Sequence, residues 1–382
     1  MAHNNQPNPS HGGKVIYQMT VDATNTESQA ANHHQLNPRS WTGKIKLAVT
    51  VGLLILVGAI VGGVIGGKKK GAPSYPDYSY LQYSLSDAYT GEDFFNNFDY
   101  VTDKSATNGF VHYVSEATAA AGNLTYASAS SAILRVDMTD RNASTGRNSV
   151  RIISKKTYDT GLFIFDVAHS PYGCATWPAL WLLDPSDWPA NGEIDVIESV
   201  NQGTDGNHMT LHTTANCQMY GSRKQTGSQL TTDCLNSTDG NAGCGVLGSA
   251  DTYGPVFNAN GGGIYAMELR SAGIRVWFFA RSAIPSDLSE LATKASSLTP
   301  DPTQWGEALA DFPSTHCDIG THFRNQSIVA NIDLCGDWAG QSAVYSSEDK
   351  CPGLTCESYA AVNASAFEEA YWQWNGWWVF GA

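Results

Sequence analysis

The segment Asn191-Gly-Glu-Ile-Asp-Val-Ile-Glu-Ser199 places three acidic side chains within six residues, separated by isoleucine and valine. Charged residues are unfavourable in strands, and like charges on one strand face repel each other. In a regular strand Glu193 and Asp195 share a face, whereas Glu198, an odd number of residues from Glu193, lies on the other. One bulge within Val196-Ile197 restores the register and returns Glu198 to the face of Glu193.

Two glutamates on one strand face are suited to chemistry at a glycosidic bond. With the bulge, their backbones lie about 13 Å apart, and side chains that lean together close the carboxylates to the ~5–5.5 Å of a retaining glycosidase. One glutamate would attack as an anion, and the other, its pKa raised by neighbours, would protonate the leaving oxygen. Asp195 between them can hydrogen-bond the nucleophile. Taken alone, the spacing fits a structural or calcium-binding acid cluster equally well.

Outside the acidic segment the chain reads as short strands separated by Gly, Asn, Asp and Ser turns. The composition agrees, with 37 Gly, 17 Tyr and 11 Trp but only 15% charged residues. Helical periodicity is limited to two short candidates, 286–297 and 364–371. The pattern predicts an antiparallel β-sandwich or jelly roll. The other predicted strands are Ser149–Ser154, Gly161–Val167, Met209–Thr213, Gly273–Phe279 and Ser327–Ile332.

Charge is distributed unevenly along the 382 residues. Residues 1–70 carry seven Lys or Arg against two acids, whereas the remainder carries 15 against 34, a balance of −19. An acidic domain of this kind is repelled by phosphate backbones, so a nucleic-acid partner is not expected.

The N-terminal part predicts a membrane anchor. Residues 1–45 are polar and aperiodic, typical of a disordered tail. The 21 uncharged residues 47–67, LAVTVGLLILVGAIVGGVIGG, lie between lysines and are long enough to cross a bilayer as a helix. The alternative is a cleaved signal peptide, but the polar lead and the apolar stretch are both longer than is usual for one. We predict a transmembrane signal-anchor over 46–67, a stalk over 68–85 and a catalytic domain over 86–382.

Cysteines and glycosylation sequons indicate which side of the membrane the domain occupies. Both sets lie only after the apolar segment, as disulfides and N-glycans in an oxidising secretory compartment require. A zinc site is the competing interpretation of the cysteines, but the chain contains no Cys-x-x-Cys. We therefore expect a single-pass type II protein with a lumenal or extracellular domain. The cysteines are Cys174, Cys217, Cys234, Cys244, Cys317, Cys335, Cys351 and Cys356, and the sequons begin at Asn123, Asn142, Asn236, Asn325 and Asn363.

The acidic segment also resembles a known family signature. Gly192-Glu-Ile-Asp-Val-Ile-Glu198 is similar to the bulged, laminarinase-like signature of glycoside hydrolase family 16, and residues 80–380 resemble its fungal endo-1,3(4)-β-glucanase branch. Further segments support the resemblance by their order and spacing. These are Gly161-Leu-Phe-Ile-Phe-Asp166, Gly173-Cys-Ala-Thr176, Trp177-Pro-Ala-Leu-Trp-Leu-Leu183, Thr210-Leu-His-Thr213, Gly261-Gly-Gly-Ile-Tyr-Ala266, Val276-Trp-Phe-Phe-Ala-Arg281 and Leu334-Cys-Gly-Asp-Trp-Ala-Gly340.

The resemblance implies roles and a fold for this chain. Glu193 would be the nucleophile, Asp195 its assistant and Glu198 the general acid/base, in a concanavalin A-like antiparallel β-jelly roll with an open cleft. Trp181, Trp188 and Trp338 match positions that line such a cleft, where flat rings stack on sugars. Core packing is the alternative for these tryptophans. His212 could also reach the cleft, or be a buried structural histidine.

Three functions fit these residues. The first is an endo-acting β-1,3(4)-glucan hydrolase, favoured because the acid motif is intact. The second is a cell-wall transglycosylase that uses the same nucleophile but transfers the glycosyl group to a sugar. The third is a non-catalytic glucan-binding lectin, which would not need all three acids. Two-carboxylate chemistry requires no cofactor, no compact acidic loop predicts a bound metal, and the sequence does not determine the oligomeric state.

Overall fold

The computed structural model describes residues 74–382, of which Tyr75–Ala382 form one compact unit. Within this range the chain is dominated by strands, as the turn-rich composition predicts. The strands are β1 Ser84–Tyr89, β2 Phe98–Tyr100, β3 Val111–Tyr113, β4 Thr125–Ala127, β5 Ala132–Arg135, β6 Arg147–Ser149, β7 Arg151–Tyr158, β8 Gly161–His169, β9 Thr176–Leu183, β10 Glu193–Glu198, β11 His208–His212, β12 Ser228–Gln229, β13 Cys244–Leu247, β14 Gly263–Arg270, β15 Gly273–Ala280, β16 Ala310–Pro313, β17 Gln326–Leu334 and β18 Tyr371–Gly381.

Helices in the described part are short and lie between strands. The α-helices are α1 Glu116–Ala121, α2 Gly254–Ala259, α3 Leu291–Lys294, α4 Ile319–His322, α5 Gly336–Ala339 and α6 Cys356–Val362. Short 3₁₀ segments and a π-helical turn over Ala343–Glu348 complete the connections. The two predicted helical stretches contain only α3 and brief 3₁₀ turns, and the second ends where β18 begins at Tyr371.

Two eight-stranded sheets form the domain. The first has the order β16-β15-β14-β8-β18-β5-β4, with β1 also paired to β18. The second has the order β12-β13-β11-β10-β9-β17-β7-β2. Every pairing in these two sheets is antiparallel, whereas β3 and β6 form a small parallel pair. The predicted antiparallel β-sandwich is confirmed.

The main core lies between the two sheets and is rich in aromatic residues. Trp372, Trp374 and Trp377 of β18 are fully buried within it. Register shifts in β18 after Gln373 and after Trp374 allow Trp378 to lie in a second apolar cluster, with Trp277 and Phe380. The tryptophan-rich chain end is thus core material, and burying rings of this size supplies a large share of the hydrophobic stabilisation.

All eight cysteines are paired, which confirms the predicted disulfides. The bonds are Cys174–Cys351, Cys217–Cys317, Cys234–Cys244 and Cys335–Cys356. Three of them join cysteines that lie 21 to 177 residues apart in the sequence. Each closes a long loop and stabilises the fold by restricting the unfolded chain.

The N-terminal boundary of the domain differs from the prediction. The phenol of Tyr78 donates to Asp311 Oδ1 at 2.8 Å and that of Tyr83 to Glu268 Oε1 at 2.9 Å, so residues assigned to the stalk pack against the domain. The domain therefore begins near Tyr75 rather than at residue 86. Among residues 74–382, no helix combines the length and apolar character needed to cross a bilayer. The predicted tail 1–45 and anchor 46–67 lie outside the described residues.

Candidate active site

The acidic segment forms β10, and its predicted bulge is confirmed. Against β9, Asp195 pairs with Trp181 and Ile197 with Leu180, so Val196 is the extra residue. The register with β11 shifts over the same interval. Ile194, Val196 and Ile197 are buried in the core, while the acids face away from it.

A cavity of about 430 Å³ lies over the face of the second sheet that points away from the core. Side chains from β7, β9, β10, β11 and β17 form much of its wall, because alternate residues of each strand point to the same face. Both glutamates and Asp195 open into this one cavity. Its lining comprises Ser105, Ala106, Thr107, Tyr113, Arg151, Trp177, Ala179, Trp181, Leu183, Trp188, Glu193, Asp195, Glu198, His212, Gly240, Asn241, Asn331, Asp333 and Asp337.

Glu193 lies at the start of β10 and is half-buried. The indole Nε1 of Trp188 donates to its Oε2 at 2.6 Å. Loss of hydration raises the pKa of Glu193 to about 7, with the negative charge of Asp195 adding to the effect and His212 opposing it. A nucleophile must be ionised to attack, so this carboxylate would be competent mainly above pH about 7.

Glu198 lies at the other end of the bulge and is 7% exposed. The indole Nε1 of Trp177 donates to its Oε1 at 2.7 Å, and both partners are buried. Trp177 in turn packs edge-on against Trp338, with ring centroids 5.8 Å apart. Trp177, which packs against Trp338, therefore fixes the carboxyl group of Glu198, and this group lines the cavity.

Asp195 is held by a histidine from the neighbouring strand. His212 Nε2 lies 3.3 Å from Asp195 Oδ2, and its Nδ1 lies 3.0 Å from the amide oxygen of Asn241. An amide oxygen only accepts, so the proton of the bond to Asn241 lies on Nδ1, and Nε2 faces the carboxylate of Asp195. One ligand atom each from Glu193, Asp195 and His212 lies within 4.8 Å of the other two, a grouping that could also hold a metal ion.

Three of the four predicted substrate-binding residues line the cavity. Trp181, Trp188 and His212 are all part of its wall, and Trp188 is 43% exposed. Trp338 does not line it. Because α5 turns the chain at the end of β17, this ring packs behind Trp177 in a cluster with Ala339 and Val344. Trp338 therefore lies outside the cavity wall, which corrects the sequence-based prediction that it lines the cleft.

Several lining residues are not among the predicted site residues. Arg151 places its guanidinium 4.9 Å from the ring centre of Trp181, whose Nε1 donates to Asn331 at 2.7 Å. Asp333 is buried and accepts from the hydroxyls of Ser105 and Thr107, both at 2.6 Å. Alternation along β17 could have identified Asn331 and Asp333, since they share one face; the contribution of residues 105–107 has no sequence signal.

Residues 98–380 match a family model described as XgeA-like, catalytic GH16 domain. The chain belongs to this family. The prediction of a family 16 glycosidase is confirmed, and the antiparallel sandwich is the fold of its solved members.

Two curated relatives of the chain carry glycosidase or glucanase names. A Schizosaccharomyces pombe protein named "Probable glycosidase" is 45% identical over 78% of this chain and 69% of its own length. The Emericella nidulans endo-1,3(4)-beta-glucanase xgeA is 37% identical over 77% of this chain, which spans only 46% of that longer protein.

Two solved GH16 structures cover nearly the same region. Laminarinase 16A from Phanerochaete chrysosporium, solved with beta-glucans in both donor and acceptor sites, is 46% identical with a TM-score of 0.74, covering 79% of this chain and all of its own. A structure described as an elongating GH family 16 beta-1,3-glucosyltransferase is 39% identical with a TM-score of 0.71, covering 78% of this chain and all of its own.

Proposed function

We propose that this GH16 domain is an endo-acting retaining hydrolase of β-1,3(4)-glucans. The observation that carries the proposal is the bulge in β10, which turns Glu193 and Glu198 into one cavity where each accepts a hydrogen bond from an indole. Two carboxyl groups on one side of a sugar-sized cleft, each held by an indole, are the parts of a double displacement. The glucanase and laminarinase relatives supply the substrate class.

In the first step Glu198 acts as the acid and Glu193 as the nucleophile. A Glu193 oxygen bonds to the anomeric carbon of a bound β-glucan while the bond to the leaving sugar breaks. The proton of Glu198 passes to the leaving oxygen, so the sugar departs as an alcohol. Trp188 donates to the ionised Glu193 and orients it, and His212, which contacts Asp195, opposes the effect of the Asp195 charge on the pKa of the nucleophile.

In the second step the roles of Glu198 reverse. Now a carboxylate, it takes a proton from water, and the hydroxide oxygen bonds to the anomeric carbon as the ester to Glu193 breaks. Two inversions at that carbon give net retention.

Trp181 and Trp188 are proposed to stack on the sugar rings to either side. The guanidinium of Arg151 lies 4.9 Å from the ring centre of Trp181.

Product analysis tests this proposal. Purified chain is incubated with laminarin, lichenan and a galactan, and the products are separated by size. We expect laminarin and lichenan to yield mixtures of short oligosaccharides and the galactan to remain intact. Binding to laminarin with no product would favour the lectin, and cleavage of the galactan alone would assign another substrate class.

Transglycosylation is the second candidate, supported by the similarity to the beta-1,3-glucosyltransferase. In that case a sugar hydroxyl, rather than water, takes the glycosyl group from Glu193. The same incubation with dilute laminarin oligosaccharide distinguishes the two, because a transferase still produces chains longer than the starting oligosaccharide. A hydrolase under these conditions gives only shorter ones, since water outcompetes the sugar acceptor.

We also propose that the domain is a lumenal or extracellular glycoprotein anchored by residues 46–67. The apolar sequence of this segment, the sequons that follow it and the four disulfides of the domain support this arrangement. Protease added to intact microsomes should remove only the N-terminal tail and leave the catalytic domain protected. Digestion of the domain in sealed microsomes would overturn the orientation.

A further inference from the structure

The bulge that aligns the glutamates interrupts the hydrogen-bond ladder of a buried strand. Val196 is out of register with β9, and the pairing with β11 shifts between Asp195 and Glu198. Backbone donors and acceptors at this point are enclosed, since Val196 is fully buried and Glu198 nearly so. Groups of this kind need partners, because an unpaired buried amide is costly.

Asn207 supplies both partners from the loop before β11. Its Oδ1 accepts from the backbone N–H of Glu198 at 2.9 Å, and its Nδ2 donates to the carbonyl of Val196 at 2.9 Å. A carboxamide is suited to this task because it offers one acceptor and one donor end. Asn207 is fully buried, so water does not replace it.

The asparagine is itself held on its backbone side. Its N–H donates to Thr252 Oγ1 at 3.0 Å, and its carbonyl accepts from Gly248 N–H at 2.8 Å. Thr252 Oγ1 donates to the carbonyl of Ser249 at 2.6 Å. The side chain therefore projects from a fixed support onto β10, whereas the head of Glu198 is held separately by Trp177.

From these contacts we infer that Asn207 is a positioning residue for Glu198, acting through the bulge. By bridging the carbonyl of Val196 and the N–H of Glu198 it fixes the two-for-one pairing. That pairing decides which face Glu198 occupies, because a one-residue slip sends a strand side chain to the opposite face. This inference rests on the proposed function, in which Glu198 is the general acid/base.

Asn207→Ala tests the inference, with Asn201→Ala as the matched control. Asn201 is 1% exposed, and its carboxamide makes three hydrogen bonds, with Ala175, Ala339 and Asp349, none of which reaches β10. Both variants lose a buried carboxamide, so a general loss of stability appears in both. Asn207→Ser retains a hydroxyl that can satisfy one freed backbone group and provides a second variant.

Two substrates separate positioning of an acid from general damage. Laminarin has a poor leaving group and needs the proton of Glu198. The 2,4-dinitrophenolate of 2,4-dinitrophenyl β-laminaribioside leaves without protonation. We expect Asn207→Ala and Asn207→Ser to lose about 10²-fold in kcat on laminarin relative to Asn201→Ala, within the range of general acid catalysis. On the aryl substrate, kcat/KM should stay within about threefold of the control, and azide should raise kcat because it attacks without a base.

Each outcome decides the matter. Equal laminarin rates in the Asn207 and Asn201 variants, equal losses on both substrates, or failure of both Asn207 variants to fold while Asn201→Ala folds would overturn the positioning role. An inactive wild type on both substrates would instead refute the proposed function, whatever the variants do.

Discussion

Replacing Trp188 with Phe should raise the pKa of Glu193 and shift the acidic limb of activity upward. The substitution keeps a ring in the cleft but removes the N–H that donates to Glu193 Oε2 at 2.6 Å. Hydrogen bonds to charged groups contribute roughly 1.5–3 kcal/mol. Because the indole is 43% exposed, water replaces part of this, and we take about 1 kcal/mol. At 1.36 kcal/mol per pKa unit, the pKa of Glu193 should rise by roughly 0.7.

The assay is the pH dependence of kcat/KM on laminarin, which reports ionisations of the free enzyme. Since the nucleophile must be ionised, the wild-type rate should fall as the pH drops through about 7, the pKa of Glu193. Losing a bond to the ionised form favours the protonated form, so the limb of Trp188→Phe should lie at higher pH. Asp195→Asn should move it to lower pH, because removing a neighbouring negative charge favours ionisation of Glu193.

Trp181→Phe is the matched control. This tryptophan also lines the cleft, but its Nε1 donates to Asn331, so its replacement should weaken substrate binding without moving the limb. An unchanged limb in Trp188→Phe, or the same displacement in Trp181→Phe, would refute the proposed link between the indole and Glu193.

Three further predictions follow from the same structure. Glu193→Gln and Glu198→Gln should each reduce laminarin turnover by several orders of magnitude but leave glucan binding largely intact, whereas Asp195→Asn should reduce turnover less. Wild-type turnover in either glutamine variant would assign the acids a structural role. Peptide mapping without reduction should recover the four disulfides Cys174–Cys351, Cys217–Cys317, Cys234–Cys244 and Cys335–Cys356, and free thiols at these positions would contradict the pairing. Gly192→Ala should lower Tm more than Gly221→Ala. Both glycines have a positive φ, which costs alanine about 1–2 kcal/mol, but of the two only Gly192 would place the added Cβ against a backbone oxygen, that of His322 at 2.4 Å. Equal losses of Tm would refute the steric argument.

Local alternation explains what could be predicted of the site. The odd spacing of Glu193 and Glu198 in an otherwise alternating strand requires a bulge if both are to share a face, and the structure places one at Val196. The same two-residue period places Glu193 and Asp195 on one face, and both line the cavity. These inferences succeed because they need only neighbouring residues.

Features that depend on distant contacts were not predictable in the same way. The partner of Cys174 is 177 residues away, and no spacing rule identifies it. Trp338 was misplaced because α5 turns it behind Trp177, which cannot be read from its position in the chain. The stalk boundary was placed too late because Tyr78 has no periodic context, although it bonds to Asp311 across 233 residues.

The stereochemistry of azide rescue tests the central assignment of Glu193 and Glu198 most directly. Glu193→Gly and Glu198→Gly are each incubated with 2,4-dinitrophenyl β-laminaribioside and azide, and the products are identified by proton NMR. In Glu193→Gly, azide should occupy the vacated space and attack in one displacement, giving the α-glycosyl azide. In Glu198→Gly, Glu193 should still form the covalent intermediate, and a second displacement by azide should give the β-glycosyl azide. The opposite pattern would reverse the two roles and contradict the mechanism.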